Sequence, residues 1–155
     1  MTRVYRILRK PYSKKPLDGE GSYRFGGRWS SVGTRLAYTA EHLSLAMIEY
    51  FVHIDPDDLP DDLVLATAEI PDSVSRIAVS GKRLPATWRR SSALPELALI
   101  GDRFVRNFEA AVLIVPSALA PAESNWLINP LHSEFPRIRV PKPEPFRYDP
   151  RFFEQ

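Results

Sequence analysis

The sequence predicts an α+β fold in which a mixed, largely antiparallel sheet carries a few helices. Strand patterns outnumber helical ones, and their order is strand, loop, strand, helix, two strands, helix, strand and tail. This order does not alternate strand with helix, as a doubly wound sheet would require. The chain has 15 prolines, many of them after Ala120, which predict that its last third is extended and irregular.

The first half of the chain predicts two strands, a long loop and a helix. Apolar and basic residues alternate over 4–8 and predict a strand, whereas prolines and glycines predict a loop over 9–27. A short strand is predicted over 36–39. The clearest helix is predicted over 41–54, with Thr39 as its candidate cap. Apolar residues recur there at helical spacing: Leu45, Ile48, Phe51 and Val52.

The second half predicts more strands and a second helix, after an acidic turn over 55–62. The predicted strands span 63–70, 74–79, 110–115 and 138–140. The run 110–115 is continuously apolar, which is typical of a strand buried on both faces. The helix is predicted over 94–107, with Leu97, Phe104 and Val105 on its inner side.

The composition is that of one globular domain, predicted to span 1–155 with a proline-rich tail over 141–155. Cysteine is absent, which suits a reducing cytosol, and we expect a cytoplasmic protein. No apolar run approaches the roughly 20 residues that a membrane-spanning helix needs, so no membrane contact is expected. The formal net charge of +2 is too small to favour nucleic acid as a direct partner.

Several familiar catalytic signatures are excluded. The glycines of 19–27 do not form a dinucleotide-binding fingerprint, because Arg24 stands where a glycine is needed, and no Walker loop is present. Ser117 does not lie in the Gly-x-Ser-x-Gly motif of hydrolases. The three histidines, His42, His53 and His132, lack the ligand spacing of a zinc site, so we expect no metal.

Four features remain, and each has a structural explanation beside a functional one. The glycine pair 26–27 followed by Arg28 either forms a turn or lets the backbone approach a phosphate that Arg28 would bind. Glu49 lies at the margin of a helical apolar stripe, as a cleft carboxylate or as a solvent-exposed flank. Tyr38 packs in a strand or stacks on a flat ligand. Ser117 follows a buried strand, where a serine forms a turn or faces a site.

Together and in this order, the features resemble the RES-domain family, which is named for an arginine, a glutamate and a serine. Those residues correspond here to Arg28, Glu49 and Ser117, and the resemblance runs from about Val4 to His132. The matching segments are Gly26-Gly27-Arg28-Trp29, Tyr38, Leu45-Ala46-Met47-Ile48-Glu49, Pro116-Ser117-Ala118 and Asn125-Trp126-Leu127-Ile128-Asn129-Pro130. One departure is Ser30, where many relatives have asparagine after the Arg-Trp pair.

The resemblance implies a fold like that of ADP-ribosyltransferases and a bacterial toxin that depletes NAD⁺, its substrate, by hydrolysis or phosphorolysis. Phosphorolysis would use inorganic phosphate as co-substrate. The implied catalytic residues are Glu49, Arg28, Tyr38 and Ser117. The implied NAD⁺-binding residues are Arg6, Arg28, Trp29, Tyr38, Ser117 and Asn129. An Xre-like antitoxin is the implied partner, which would cover the active site and make any contact with DNA; a homodimer is left open.

The residue types suit this chemistry. Nicotinamide leaves NAD⁺ as a neutral molecule, so no general acid is required, and one carboxylate can stabilise the oxocarbenium-like ribose. We expect Glu49 to supply that carboxylate, Arg28 to hold the diphosphate and Tyr38 to stack on the nicotinamide ring. Two alternatives stay open. ADP-ribose transfer to a protein needs the same first step, and a catalytically decayed module would only bind the antitoxin.

Overall fold

The computed structural model describes residues 1–90, 92 and 94–154, and over these the fold is a seven-stranded sheet with three α-helices. The strands are β1 (Thr2–Arg9), β2 (Ala37–Ala40), β3 (Leu63–Ile70), β4 (Arg76–Ala78), β5 (Val112–Pro116), β6 (Ser124–Ile128) and β7 (Glu144–Pro145). The helices are α1 (Glu20–Phe25), α2 (Leu43–Phe51) and α3 (Pro95–Asn107). The sheet order is β4-β5-β6-β2-β1-β3-β7. Only β4 and β5 pair in parallel within the described chain, which confirms the predicted mixed, largely antiparallel sheet.

The longest strand pair joins β1 to β3 along their whole length, from Thr2 opposite Ile70 to Arg9 opposite Leu63. Both strands were expected from their patterns, since Val4, Ile7 and Leu8 alternate with arginines and all three are buried. Ladder hydrogen bonds join the two strands over all eight residues. Helix α2 packs against this strand pair, and its buried Leu45 lies in one apolar cluster with Ile7 of β1.

Strand β5 lies between the edge strand β4 and β6, and its two faces pack against different cores. Val112 and Ile114 face one core, whereas Leu113 and Val115 face the core that also holds α3. The prediction that this apolar run is buried on both faces is therefore confirmed. Strand β6 was not expected: it lies in a segment rich in proline and turn residues, yet it pairs with β2 on its other side.

Three local predictions are wrong. The predicted loop 9–27 contains α1, which is stabilised by ion pairs from Glu20 to Arg24 and to Arg35. Thr39 does not cap α2, because it lies inside β2 and its hydroxyl donates to the Trp126 carbonyl at 2.6 Å. The predicted strand 138–140 is reduced to a single bridge between Arg139 and Glu69, since the prolines that follow cannot donate ladder hydrogen bonds.

Helix α3 packs against the segment that follows the glycine pair. Leu97, Gly101 and Phe104 are its buried residues, whereas the predicted inner residue Val105 is only partly buried. The helix contacts Trp29 and Leu36 in the same cluster. Its N-terminal proline and inward apolar stripe agree with the predicted helix. Among the described residues, no helix is long and apolar enough to cross a membrane.

Candidate active site

A cleft of about 650 Å³ lies over β1 and β2, beside α2. It brings together four of the side chains that the sequence singled out, although they are far apart in the chain. These are Arg6, Arg28, Tyr38 and Glu49, and Trp29 also lines the cleft. Much of the remaining wall comes from apolar and aromatic residues: Tyr5, Ile7, Leu8, Tyr12, Phe25, Ala40, Ala46, Tyr50 and Ala118. A concave, mostly apolar site with a few convergent polar groups is the usual form of a small-molecule pocket.

The central feature of the cleft is the pair formed by Glu49 and Ser117. Ser117 Oγ donates to Glu49 Oε1 at 2.7 Å, across 68 residues of chain. Glu49 is partly buried on α2, whereas Ser117 is completely buried. A short hydrogen bond from a buried hydroxyl fixes the rotamer of a carboxylate that still borders the cleft.

Hydrogen bonds to the turn that follows β5 fix the position of Ser117. Its Oγ accepts hydrogen bonds from the backbone N–H groups of Leu119 and Ala120, both at 3.2 Å. Its own N–H donates to the Glu123 carbonyl at 2.9 Å. Because two donors orient the hydroxyl oxygen, its single proton points to Glu49. The residue does not line the cleft, so the structure favours a role in positioning Glu49 over direct ligand contact.

Tyr38 is fixed through its hydroxyl to the segment that carries Arg28. The hydroxyl accepts a hydrogen bond from the Trp29 N–H at 2.9 Å and forms a second one with Ser30 Oγ at 2.7 Å, in which either hydroxyl can donate. Burial raises the pKa of Tyr38 to about 12, against the opposing effect of these two hydrogen bonds. A Cβ at Gly27 would lie 2.6 Å from the Tyr38 hydroxyl, so a glycine is required for this close approach.

Arg28 is anchored by main-chain carbonyls, which pre-organise it at the cleft. One guanidinium nitrogen, Nη1, donates to the carbonyls of Trp88 and Arg90, both at 2.9 Å. The Trp88 ring in turn packs on Trp29, with ring centroids 6.2 Å apart. Two carbonyls satisfy part of the five-donor guanidinium and leave its other donors for a ligand.

Arg6 is a second cation in the cleft, and it is incompletely paired. Its Nη1 donates to the Tyr38 carbonyl at 3.2 Å, and its buried Nε has no hydrogen-bond partner among the described residues. Burial lowers the pKa of Arg6, although Asp18 and Tyr38 act in the opposite direction. A buried cation without a carboxylate partner is costly, and an anionic ligand in the cleft would compensate it.

Three other residues that the sequence singled out are Trp29, Asn129 and Ser30, and only Trp29 lines the cleft. Trp29 is buried. Asn129 follows the last residue of β6, four residues beyond Asn125, and it is not among the residues that line the cleft. The structure therefore does not bring Asn129 to the site. Ser30, the departure from the family pattern, is buried with its hydroxyl bonded to Ser22 and Tyr38.

Several cleft residues were missed by the sequence analysis. Tyr50 and His53 line the cleft from α2 and the turn after it, one and four residues beyond Glu49. Helical spacing could have indicated His53, four residues beyond Glu49, but not the adjacent Tyr50. Arg9 and Asn125 also line the cleft. Asn125 opens a segment that matches the family, but its place in the cleft could not be predicted, because it depends on the pairing of β6 with β2.

A metal-capable group lies outside the cleft. Glu41, His42 and Glu123 each offer a ligand atom within 4.8 Å of the others. The spacing of the histidines did not indicate it, since two ligands are adjacent in sequence and the third is 81 residues away from His42. His42 already pairs with Glu123 at 2.7 Å, and Glu41 accepts from the Ser124 N–H. None of the three residues lines the cleft.

Comparison with known proteins assigns the family. A family model described as RES domain matches residues 3–149. Toxin Res of Pseudomonas putida is 39% identical over 140 residues, which are 88% of this chain and 92% of that protein. The Prs ADP-ribosylating toxin of a Sphingobium species is 34% identical over 149 residues, 94% of this chain and 92% of that protein.

The fold agrees with that assignment. The crystal structure of the Mycobacterium tuberculosis MbcT–MbcA toxin–antitoxin complex contains a similar chain, with a TM-score of 0.74 and 16% identity. The match covers 99% of this chain and 87% of that one. At this identity the likeness supports the fold, while the sequence matches carry the family. The chain belongs to the RES-domain family of toxins.

Proposed function

We propose that this toxin depletes NAD⁺ by breaking the bond between nicotinamide and ribose. The observation that carries the proposal is the Ser117–Glu49 hydrogen bond of 2.7 Å, which holds one carboxylate at the wall of the cleft. The reaction requires a negative charge beside the ribose as positive charge develops there. It requires no second carboxylate, because nicotinamide is its own neutral leaving group.

The cationic side chains of the cleft suit the diphosphate of NAD⁺. Arg6 and Arg28 both line the cleft, and neither is paired with a carboxylate among the described residues. Arg28 is oriented by the Trp88 and Arg90 carbonyls, which reduces the entropy lost when it binds a phosphate. Tyr38 offers an aromatic surface for the nicotinamide ring, while its hydroxyl is already occupied.

In the proposed step, the C–N glycosidic bond breaks and its electron pair remains on the nicotinamide nitrogen. Water or inorganic phosphate then bonds to the ribose carbon through oxygen; when water is the acceptor, one proton is released to solvent. Glu49 would stabilise the oxocarbenium-like transition state and orient the ribose hydroxyls. Removal of a preorganised charge of this kind typically costs on the order of 100- to 1000-fold in rate.

The test is to incubate purified protein with NAD⁺, with and without inorganic phosphate, and to identify the ribose product. ADP-ribose indicates hydrolysis, and ADP-ribose 1″-phosphate indicates phosphorolysis. Glu49→Gln is expected to be inactive, and Glu109→Gln, which changes an exposed carboxylate outside the cleft, is the matched control. Retention of full nicotinamide release by Glu49→Gln would remove the proposal.

A second candidate is transfer of ADP-ribose to a protein. It is favoured by one observation: a relative that is 34% identical carries the name Prs ADP-ribosylating toxin. Both reactions share the first step and the same Glu49. They differ in the fate of the label when NAD⁺ carries a radioactive adenylate, because only transfer leaves acid-precipitable label on protein. A chain that binds NAD⁺ without releasing nicotinamide would instead be a decayed binding module.

The proposed partner is an antitoxin that covers the cleft. The cleft rim exposes Tyr12 and Phe25, with 67% and 82% of their surfaces accessible, and exposed aromatic residues beside a site are typical of a protein-binding surface. The similar structure is itself a toxin–antitoxin complex. Co-expression of the neighbouring gene, expected to encode an Xre-like protein, should yield a complex that inhibits nicotinamide release. Double substitution of Tyr12 and Phe25 by alanine should weaken that complex.

A further inference from the structure

The helix that carries Glu49 is poorly supported by its own sequence. α2 has nine residues, no side-chain cap at its N-terminus, no acidic residue in its first turn and no basic residue in its last. Isolated helices shorter than about 12 residues are marginal in water. The position of Glu49 must therefore depend on what packs around α2.

The sheet supports only one side of this helix. Leu45 and Ala46 are its buried residues, and they pack with Ile7 and Ala40 of the sheet. Glu49 faces the cleft. Phe51 is two residues beyond Glu49, which places it about 200° around the helix axis. Phe51 therefore needs a third surface to pack against.

That surface is the C-terminal segment. The chain pairs with β3 at Glu144 and Pro145, and the Phe146 N–H donates to the Leu63 carbonyl at 2.9 Å. It then crosses α2, where Phe51 meets the rings of Tyr148, Phe152 and Phe153 at centroid distances of 6.0, 5.5 and 5.7 Å.

A hydrogen bond completes the attachment. The Tyr148 hydroxyl donates to the Met47 carbonyl of α2 at 2.6 Å. Burial raises the pKa of Tyr148 to about 12, so the hydroxyl keeps its proton at any physiological pH. Phe146 and Tyr148 also join the apolar cluster that contains Leu45 and Ala46, and the two rings meet edge to face at 5.0 Å.

We propose that residues 146–153 form a C-terminal strap that positions Glu49 by fixing α2 against the sheet. No residue of the strap lines the cleft, and its closest described contacts, the Phe51 ring and the Met47 carbonyl, are on α2, so the helix is its main route to the site. Phe146 and Tyr148 also share an apolar cluster with Ala120, whose N–H donates to Ser117 Oγ. Tyr148, Phe152 and Phe153 are then positioning residues. This inference deepens the proposed NAD⁺ cleavage and rests on it for its kinetic arm, whereas its structural arm is independent of the reaction.

The test uses the full chain with a Phe152→Ala/Phe153→Ala double variant and Tyr148→Phe, which removes a single hydroxyl and retains the ring. Leu131→Ala, another exposed apolar side chain, is the matched control because it lies outside the strap and the cleft. Phe152→Tyr/Phe153→Tyr keeps the aromatic contacts and should rescue. The readouts are kcat and KM for nicotinamide release, and amide exchange over 43–51.

We expect the double alanine variant to accelerate exchange in α2 and to lower kcat by about 10-fold, with KM changed by less than about 3-fold. In a Glu49→Gln background the same change should lower the rate no further. Unchanged amide exchange over 43–51 in both strap variants would overturn the inference. If the parent cleaves NAD⁺, a double alanine variant with the parental kcat would overturn it as well. If the parent cleaves none, the proposed function fails, while the exchange readout still decides whether the strap holds α2.

Discussion

Gly101→Ala offers a sharp test of how the Arg28 segment is positioned. Gly101 is buried inside α3, where its Cα faces the backbone of Trp29. A Cβ built there would overlap the Trp29 carbonyl oxygen, and it would lie 2.8 Å from the carbonyl carbon and 3.2 Å from Leu36 Cδ2. Because the first obstacle is backbone, no change of rotamer relieves it.

Two opposing effects set the magnitude. Alanine gains about 1 kcal/mol over glycine in a helix interior through propensity. Overpacking a well-filled core costs typically about 1–3 kcal/mol, and a collision with backbone belongs at the upper end of that range. The free energy of unfolding should therefore fall by about 2 kcal/mol. For a domain of this size, that lowers Tm by about 4–8 °C.

The assay is equilibrium unfolding in urea, followed by tryptophan fluorescence. Gly21→Ala is the matched control, because Gly21 is also helical and its Cβ would meet only Arg6 Nη2, at 4.0 Å. That control should be unchanged or more stable by up to about 1 kcal/mol. A Gly101→Ala protein as stable as the parent would refute the close packing of α3 on Trp29.

Three further predictions concern the surroundings of the site. Ser117→Ala should lower kcat for nicotinamide release by about 10-fold or more, because Glu49 loses its orienting hydrogen bond; an unchanged kcat would contradict this. Gly27→Ala should displace the Tyr38 ring and alter near-ultraviolet circular dichroism, since its Cβ would lie 2.9 Å from the ring carbon Cζ. A spectrum identical to that of the parent would argue against the contact. Asp102→Asn should cost about 1–2 kcal/mol at pH 7, measured by urea unfolding. Burial would raise the pKa of Asp102, but hydrogen bonds from the Ser31 side chain and backbone and from Thr34 outweigh it and lower that pKa. The contribution is therefore complete above the ordinary value of 3.8 and is lost as pH falls below it, so parent and variant should converge in acid.

The elements that could be predicted from the sequence are those whose pattern is local. β3 matches its predicted limits because apolar residues alternate and turn residues flank them. α3 was predicted to within one residue from its apolar stripe. By contrast, β6 has a short apolar run between prolines, and its strand geometry comes from pairing with β2 and β5 on either side.

α1 was missed for a related reason. Gly21 lowers its helix propensity, and one of the contacts that support the helix is an ion pair between Glu20 and distant Arg35 at 2.6 Å. Gly19 precedes the helix at a φ of 71°, and a Cβ there would lie 2.7 Å from the Leu36 nitrogen. These contacts join segments about fifteen residues apart, which no local pattern specifies.

The candidate site could be predicted only in part. Glu49 stood out at the edge of a helical stripe, but its hydrogen bond to Ser117 spans 68 residues, and the family resemblance rather than spacing indicated it. Asn129 shared that resemblance, yet the direction of β6 carries it away from the cleft and brings Asn125 to it instead. The importance of Arg6 became visible only in the structure, where its buried Nε has no hydrogen-bond partner among the described residues.

The most direct test of the central claim compares Glu49→Gln with the parent in single-turnover nicotinamide release, with NAD⁺ binding measured by calorimetry alongside. If the carboxylate acts in the transition state, the rate should fall at least about 100-fold while the Kd for NAD⁺ changes by less than about 3-fold. A variant that keeps the parental rate would contradict the assignment of Glu49 as the catalytic carboxylate. So would a variant whose loss of rate is fully explained by lost NAD⁺ binding.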